Sequence, residues 1–162
     1  MPATYEKIEA KTLASATSSV SFTTIPATYT DLVLVVDYDS SSTIIANIYL
    51  RFNGDTGSNY SFTYLQGTGS AAQSGRSSNT TAIEAGYQAA TGRSNILVQV
   101  QNYSNSTTNK TALSRHNNPA SVVQAYVGLW RNTAAITSLS LTCSNQSFTT
   151  GSTFTLYGIK AA

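Results

Sequence analysis

Ile44-Ile45-Ala46-Asn47-Ile48-Tyr49-Leu50-Arg51-Phe52 sets Ile44, Ala46, Ile48, Leu50 and Phe52 at every second position, with Asn47, Tyr49 and Arg51 between them. Successive side chains of a strand point to opposite faces, so this period of two predicts a strand with one apolar and one polar face. Asn53-Gly54 follows at once and is a strong hairpin-type turn signal, so the strand is expected to end there. The same pattern recurs along the chain. Residues 19–25 read as a short strand stopped at Pro26, and residues 31–39, around Leu32-Val33-Leu34-Val35-Val36, as a continuous apolar run suited to a central strand. Further strands are expected over 60–66, 80–87, 95–103, 110–115, 122–131, 136–143 and 153–160. Residues 67–79 and 89–94, rich in Gly, Ser, Gln and Asn, read as loops, and residues 104–109 as a polar hairpin.

No segment sustains a 3.6-residue apolar period, and β-branched and aromatic residues fill the apolar positions. About ten short strands with turns roughly every 8–12 residues predict an all-β chain, an antiparallel β-sandwich of jelly-roll type. No linker or break in composition divides it. Residues 14–162 are expected to form one sandwich domain, preceded by residues 1–13 as an N-terminal arm or edge strand.

Composition narrows the function. Forty-seven of the 162 residues are Ser or Thr, against one His, one Cys and sixteen charged side chains. Proton-transfer chemistry draws on His, Glu, Asp and Lys, so this inventory predicts a scaffold or binding protein that acts through its surface, with no catalytic residue and no cofactor. Net charge is +2 and the nine Lys and Arg are scattered singly, which argues against a nucleic-acid partner. Ten Tyr, five Phe and many Val, Ile and Leu supply a core. Cys143 lies in the alternating Leu139-Ser140-Leu141-Thr142-Cys143 and reads as a small buried thiol. The N-terminal residues carry no apolar signal region and no stretch approaches a membrane span, so synthesis in a cytoplasm, without a membrane partner, is the expectation. Six Asn-x-Ser/Thr sequons, at Asn59, Asn79, Asn102, Asn105, Asn109 and Asn145, read as a by-product of this composition.

Few residues invite a chemical reading. His116, in Ser114-Arg115-His116-Asn117-Asn118-Pro119, has no second His or Cys partner for a metal and reads as an exposed turn residue. Asp37 and Asp39 share a strand face, as a glycosidase acid pair would require, but lead into Ser40-Ser41-Ser42 and read as a strand's exit into solvent. Glu84 reads as a lone carboxylate on a polar strand face. Residues 53–59 alternate oxygen ligands as calcium loops do, but lack the closing Glu, so a Gly/Asn-rich hairpin is the simpler reading and no metal is expected. Tyr126, Gly128 and Trp130 face one way and Val127 and Leu129 the other; this strand either offers an aromatic face to a sugar or buries both faces. Residues 1–13 hold Glu6, Lys7, Glu9 and Lys11 interleaved with Tyr5 and Ile8, which makes Tyr5, Glu6, Lys7, Ile8, Glu9 and Lys11 the candidate partner or inter-subunit contacts.

Five segments carry a resemblance: Tyr5-Glu6-Lys7-Ile8, residues 51–60 from Arg51-Phe52-Asn53-Gly54 to Asn59-Tyr60, Gln101-Asn102-Tyr103-Ser104-Asn105, Val127-Gly128-Leu129-Trp130-Arg131, and residues 151–160. Together they resemble small virion structural proteins of tailed bacteriophages, cyanophages among them. The resemblance implies a capsid cement (decoration) protein, a homotrimer whose partner is the major capsid protein on the outer surface of the virion. A ligand that binds only the assembled shell favours that shell by mass action, and a threefold lattice position would select a trimer. The alternative is a tail-fibre or receptor/carbohydrate-binding module; a glycan-degrading enzyme ranks last.

Overall fold

The computed structural model describes residues 4–39, 46–88 and 92–160. Among these residues there are twelve strands and no helix. They are β1 (Tyr5–Thr12), β2 (Ser19–Phe22), β3 (Asp31–Tyr38), β4 (Ala46–Phe52), β5 (Tyr60–Gly67), β6 (Ala72–Thr80), β7 (Ile83–Gln88), β8 (Ser94–Val100), β9 (Lys110–Asn118), β10 (Val122–Trp130), β11 (Leu139–Cys143) and β12 (Thr153–Ile159). All paired neighbours are antiparallel. One sheet has eight strands in the order β1-β12-β3-β8-β9-β10-β5-β6; the other has four, β2-β11-β4-β7. The chain is an antiparallel β-sandwich.

The alternation read in β4 sets its packing. Ala46, Ile48, Leu50 and Phe52 are wholly buried, while Asn47, Tyr49 and Arg51 are partly exposed. Ile44, Ser40–Ser42 and residues 89–91 of the expected loop lie outside the described residues. From the large sheet, Leu32, Leu34 and Val36 of β3, Ile96 and Val98 of β8, Tyr126 and Trp130 of β10, and Phe154 and Leu156 of β12 face the same core. Apolar burial at about 25 cal/mol per Å² is the main term holding the two layers together. Cys143 is buried in this core, where burial pushes its thiol up to about 11.

Three expectations are corrected. Strands number twelve among the described residues, where about ten were expected, because the N-terminal arm or edge strand forms β1 and residues 72–79, read as loop, lie in β6. Its side chains are almost all exposed, so composition gave no apolar alternation to detect; main-chain pairing to β5, from Tyr60↔Thr80 to Gly67↔Ala72, makes it a strand. Asn53-Gly54 is a turn, with φ of 51° and 66°, but not a hairpin: β4 and β5 belong to different sheets. Asn53 instead fastens this crossover to the approach to β11. Its Oδ1 accepts from the Thr137 and Ser138 amides at 2.8 and 3.1 Å, and its Nδ2 donates to the Ala135 carbonyl at 2.8 Å. Finally, His116 is not a turn residue; its surroundings are described below.

Residues 5–12 form an edge strand, β1, registered against β12 from Tyr5↔Ile159 to Thr12↔Thr153, with a bulge between Lys7 and Glu9. The Tyr29 ring lies on Gly158 of β12: a methyl group there would approach Tyr29 carbons to 2.2–2.5 Å. Gly158→Ala should therefore cost about 1–3 kcal/mol as the ring is displaced. Urea unfolding would read this as a lower midpoint at constant slope; an unchanged midpoint would mean that the ring swings aside freely.

Candidate functional site: the outer face of the large sheet

β3, β8, β9, β10 and β5 lie side by side, and the register places their outward residues in rows. One row runs Val35, Leu97, Arg115, Ala125, Leu65. A second runs Val33, Gln99, Leu113, Val127, Thr63, and a third Asp37, Asn95, Asn117, Val123, Gly67. With strands about 4.8 Å apart, five strands span about 19 Å. Within this field Val35, Leu65, Leu113, Val123 and Val127 are 40–67% exposed. Strands that carry apolar residues on both faces bury one set in the core and leave the other bare. The result is a shallow trough of about 990 Å³ with an aliphatic floor and amides of Gln73, Asn95 and Asn117 at its margin. Contiguous exposed apolar surface of this kind marks an interaction site.

The residues singled out from the sequence occupy other settings. His116 is buried, its imidazole accommodated by the absence of a side chain at Gly86, where a methyl group would meet the ring at 2.9 Å. His116 Nδ1 lies 2.9 Å from Gln124 Oε1, an acceptor, so Nδ1 carries the proton. Nε2 is then free to accept from the Tyr38 hydroxyl at 3.2 Å. Gln124 Nε2 donates to Gln66 Oε1 at 2.8 Å, and Gln66 Nε2 to Gln73 Oε1 at 2.6 Å. A one-way chain of donors thus runs from the core to the rim of the trough. Burial drives the His116 pKa down to about 4, opposed by the bond to Gln124, so the ring is neutral at pH 7.

Glu84 is half-buried and accepts from the Tyr126 hydroxyl at 3.0 Å; burial raises its pKa above the usual carboxylate value. Asp37 pairs with Arg93 at 2.9 Å on the surface. The Asp55 carboxylate, in the stretch compared with a calcium loop, is taken up by the Trp130 indole N–H at 2.7 Å, Asn59 Nδ2 at 2.9 Å and the Gly57 amide at 2.8 Å. These bonds, Trp130's foremost, hold its pKa below the ordinary Asp value. Trp130 is core, not a platform: it is 1% exposed and stacks on Tyr60 at 6.2 Å. Among the described residues no group of three or more His, Cys, Asp or Glu could hold a metal ion.

In β1, Glu6 accepts from Lys160 Nζ at 2.7 Å and from the Tyr29 hydroxyl at 3.3 Å. Glu9 pairs with Lys11 at 3.2 Å, and Lys11 also lies 5.3 Å from the centre of the Phe22 ring. Tyr5 packs edge-on to Tyr157, and Ile8 packs against the core. Of the four charged candidates, Lys7 alone makes no ion pair to another described residue. The trough was missed because local sequence does not say which of two apolar strand faces is covered. Its signal was the apolar residues out of phase with the core set: Val35 in β3, Val127 and Leu129 opposite Tyr126 and Trp130.

With this geometry in view, the chain is similar to part of an exo-inulinase from Aspergillus awamori, at TM-score 0.51 and 10% identity over 96% of this chain and 29% of that one. Alginate lyase Aly36B is matched at TM-score 0.33 and 12% identity, over 81% of this chain and 68% of that one. The chain thus spans less than a third of the inulinase's length, and likeness at such identity concerns the fold alone. No protein-family model matches the chain, and no curated protein matches its sequence. No helix among the described residues is long and apolar enough to cross a membrane.

Proposed function

We propose that this chain is a non-enzymatic virion structural module, a cement protein that binds the outside of a tailed-bacteriophage capsid as a homotrimer. The observation that carries the binding half of this reading is the bare aliphatic face of the large sheet, beside a core whose polar groups are largely satisfied internally. The capsid as partner rests on the resemblance in residues 5–8, 51–60, 101–105, 127–131 and 151–160. A floor of Val and Leu without an aromatic side chain suits a protein surface better than a sugar ring, which stacks on Tyr or Trp. The carbohydrate-binding alternative therefore ranks second.

Two measurements test the reading. The purified chain should co-sediment with empty capsids at a fixed ratio per subunit and raise their melting temperature, and electron microscopy of decorated shells should show density outside the capsid floor. Light scattering at micromolar concentration, or the symmetry of the bound density, should give a trimer. Failure to bind capsids, with binding to purified host polysaccharide, would replace this proposal by the tail-module reading.

A further inference from the structure

The trough described above has a cation at its centre. Arg115 stands in the middle row of five strands, with Leu97 and Ala125 directly across from it on β8 and β10. Two residues away along its own strand on the same face are Leu113 and Asn117. The diagonal positions on β8 and β10 hold Asn95, Gln99, Val123 and Val127. None of these is acidic. Arg115 is exposed, and its guanidinium makes no ion pair or hydrogen bond to another described residue. The nearest acid in the field of rows, Asp37, lies two strands away and is already paired with Arg93.

This arrangement differs from an ordinary solvated arginine. Arg93, Lys160 and Arg131 are engaged, on Asp37, on Glu6, and on Ser61, Asn79 and two carbonyls, while Lys7 and Arg76, exposed and without an ion pair to another described residue, stand on the edge strands β1 and β6, so Arg115 differs from them in its place among the aliphatic rows. Here a planar five-donor group sits on an aliphatic floor that a docking surface would dehydrate. Removing water strengthens a guanidinium–carboxylate pair and makes an unpaired guanidinium costly. A partner that covers this floor must therefore bring an anion to its centre.

We infer that the trough docks a protein segment in which an Asp or Glu side chain is flanked by aliphatic side chains, the carboxylate seated on Arg115 and the aliphatic groups on the surrounding Val and Leu. This rests on the proposed role as a surface-binding module and names the chemistry of the partner. The bidentate geometry of the pair fixes register, and the aliphatic contacts supply area. A sulfate or phosphate would satisfy the charge but not the floor, so a carboxylate on an apolar segment is the better match.

The probe is acetyl-Ser-Gly-Leu-Val-Glu-Val-Leu-Gly-Ser-amide, compared with its Gln counterpart, titrated into the isotope-labelled full chain and followed by amide shifts. Shifts should map to β3, β8, β9, β10 and β5. The Glu peptide should bind about tenfold or more tighter than the Gln peptide, and Arg115→Gln should abolish that preference without altering the rest of the spectrum. Equal binding of the two peptides, shifts confined to β1 and β12, or a site that takes dodecanoate but not the Glu peptide would each overturn the inference. Capsid co-sedimentation separates this from the proposed function. If the wild-type chain sediments with capsids and Arg115→Glu sediments equally, the trough is not the docking face and the cement role stands. If the wild type ignores capsids but shows the Arg115-dependent preference for the Glu peptide, the cement role falls and the docking chemistry stands.

Discussion

Trp130→Ala is expected to destabilise the fold by about 3–5 kcal/mol, the range for removing a fully buried aromatic side chain. Three groups depend on this indole. Tyr60 stacks on it at an interplanar angle of 15°, Phe52 of the opposite sheet meets it at 5.6 Å, and its N–H is donated to Asp55 at 2.7 Å. Truncation leaves a cavity at the junction of the two sheets and removes the largest contribution to holding Asp55 ionised. Tyr60, whose phenol burial pushes up to about 12, would lose its stacking partner at the same point. At this chain length the loss amounts to a fall in melting temperature of about 10 °C or more. Trp130→Phe separates the terms: it keeps most of the volume and loses the donor, so about 1–3 kcal/mol should go, with Asp55 the group left short of a partner. Trp130 is the chain's one Trp, so fluorescence of the wild type reports the same site directly and should be that of an indole removed from water. A loss below about 1 kcal/mol for Trp130→Ala would show that the crossover between the sheets does not depend on this packing.

The second large effect is acid lability centred on His116. Its folded pKa is lowered from 6.5 to about 4, mainly by burial. The groups facing the ring are neutral: Tyr38 from β3, Gln124 from β10 and the backbone at Gly86 of β7. Because the folded state resists the proton, the unfolded chain binds it first as pH falls. The neutral ring's contribution is therefore complete above pH 6.5 and is lost between 6.5 and about 4. The loss amounts to about 3 kcal/mol. Protonation would also remove the acceptor that Tyr38 uses. Glu84 works in the opposite sense, since its raised pKa favours the folded state as it takes up its proton, so the net fall is expected to slow at the acid end of the window. Urea unfolding at closely spaced pH values gives the slope. His116→Gln, which retains hydrogen-bonding capacity without a proton to gain, should flatten it between pH 6.5 and 4, whatever its effect at pH 7. A variant with the wild-type slope would place the acid sensitivity elsewhere.

The hydroxyl-rich composition and the absence of any helical period made the fold class legible, and the strand positions with it. β4 is the clearest case: its apolar residues from Ala46 to Phe52 are all wholly buried. Where local chemistry and pairing disagreed, the reading failed. His116 stands beside Asn117, Asn118 and Pro119, a turn-like run, yet β9 extends through Asn118 because β8 and β10 supply main-chain partners on both sides. The polar β6 escaped for the same reason.

The candidate site was less legible than the fold. Residues 5–11 drew attention because charge and apolar residues alternate there, but Glu6, Glu9 and Lys11 are engaged within the chain, by Lys160, each other and the Phe22 ring. By itself the amino-acid sequence determined that this chain is all strand, with a core built from alternate positions, because backbone sterics and the two-residue period of side chains are local properties. Only the tertiary structure decided which apolar face is covered and which is bare. Tyr126 and Trp130 went inside and Val127 stayed outside because a second sheet packs on one side of β10 only, and no neighbour in sequence records on which side that layer will lie.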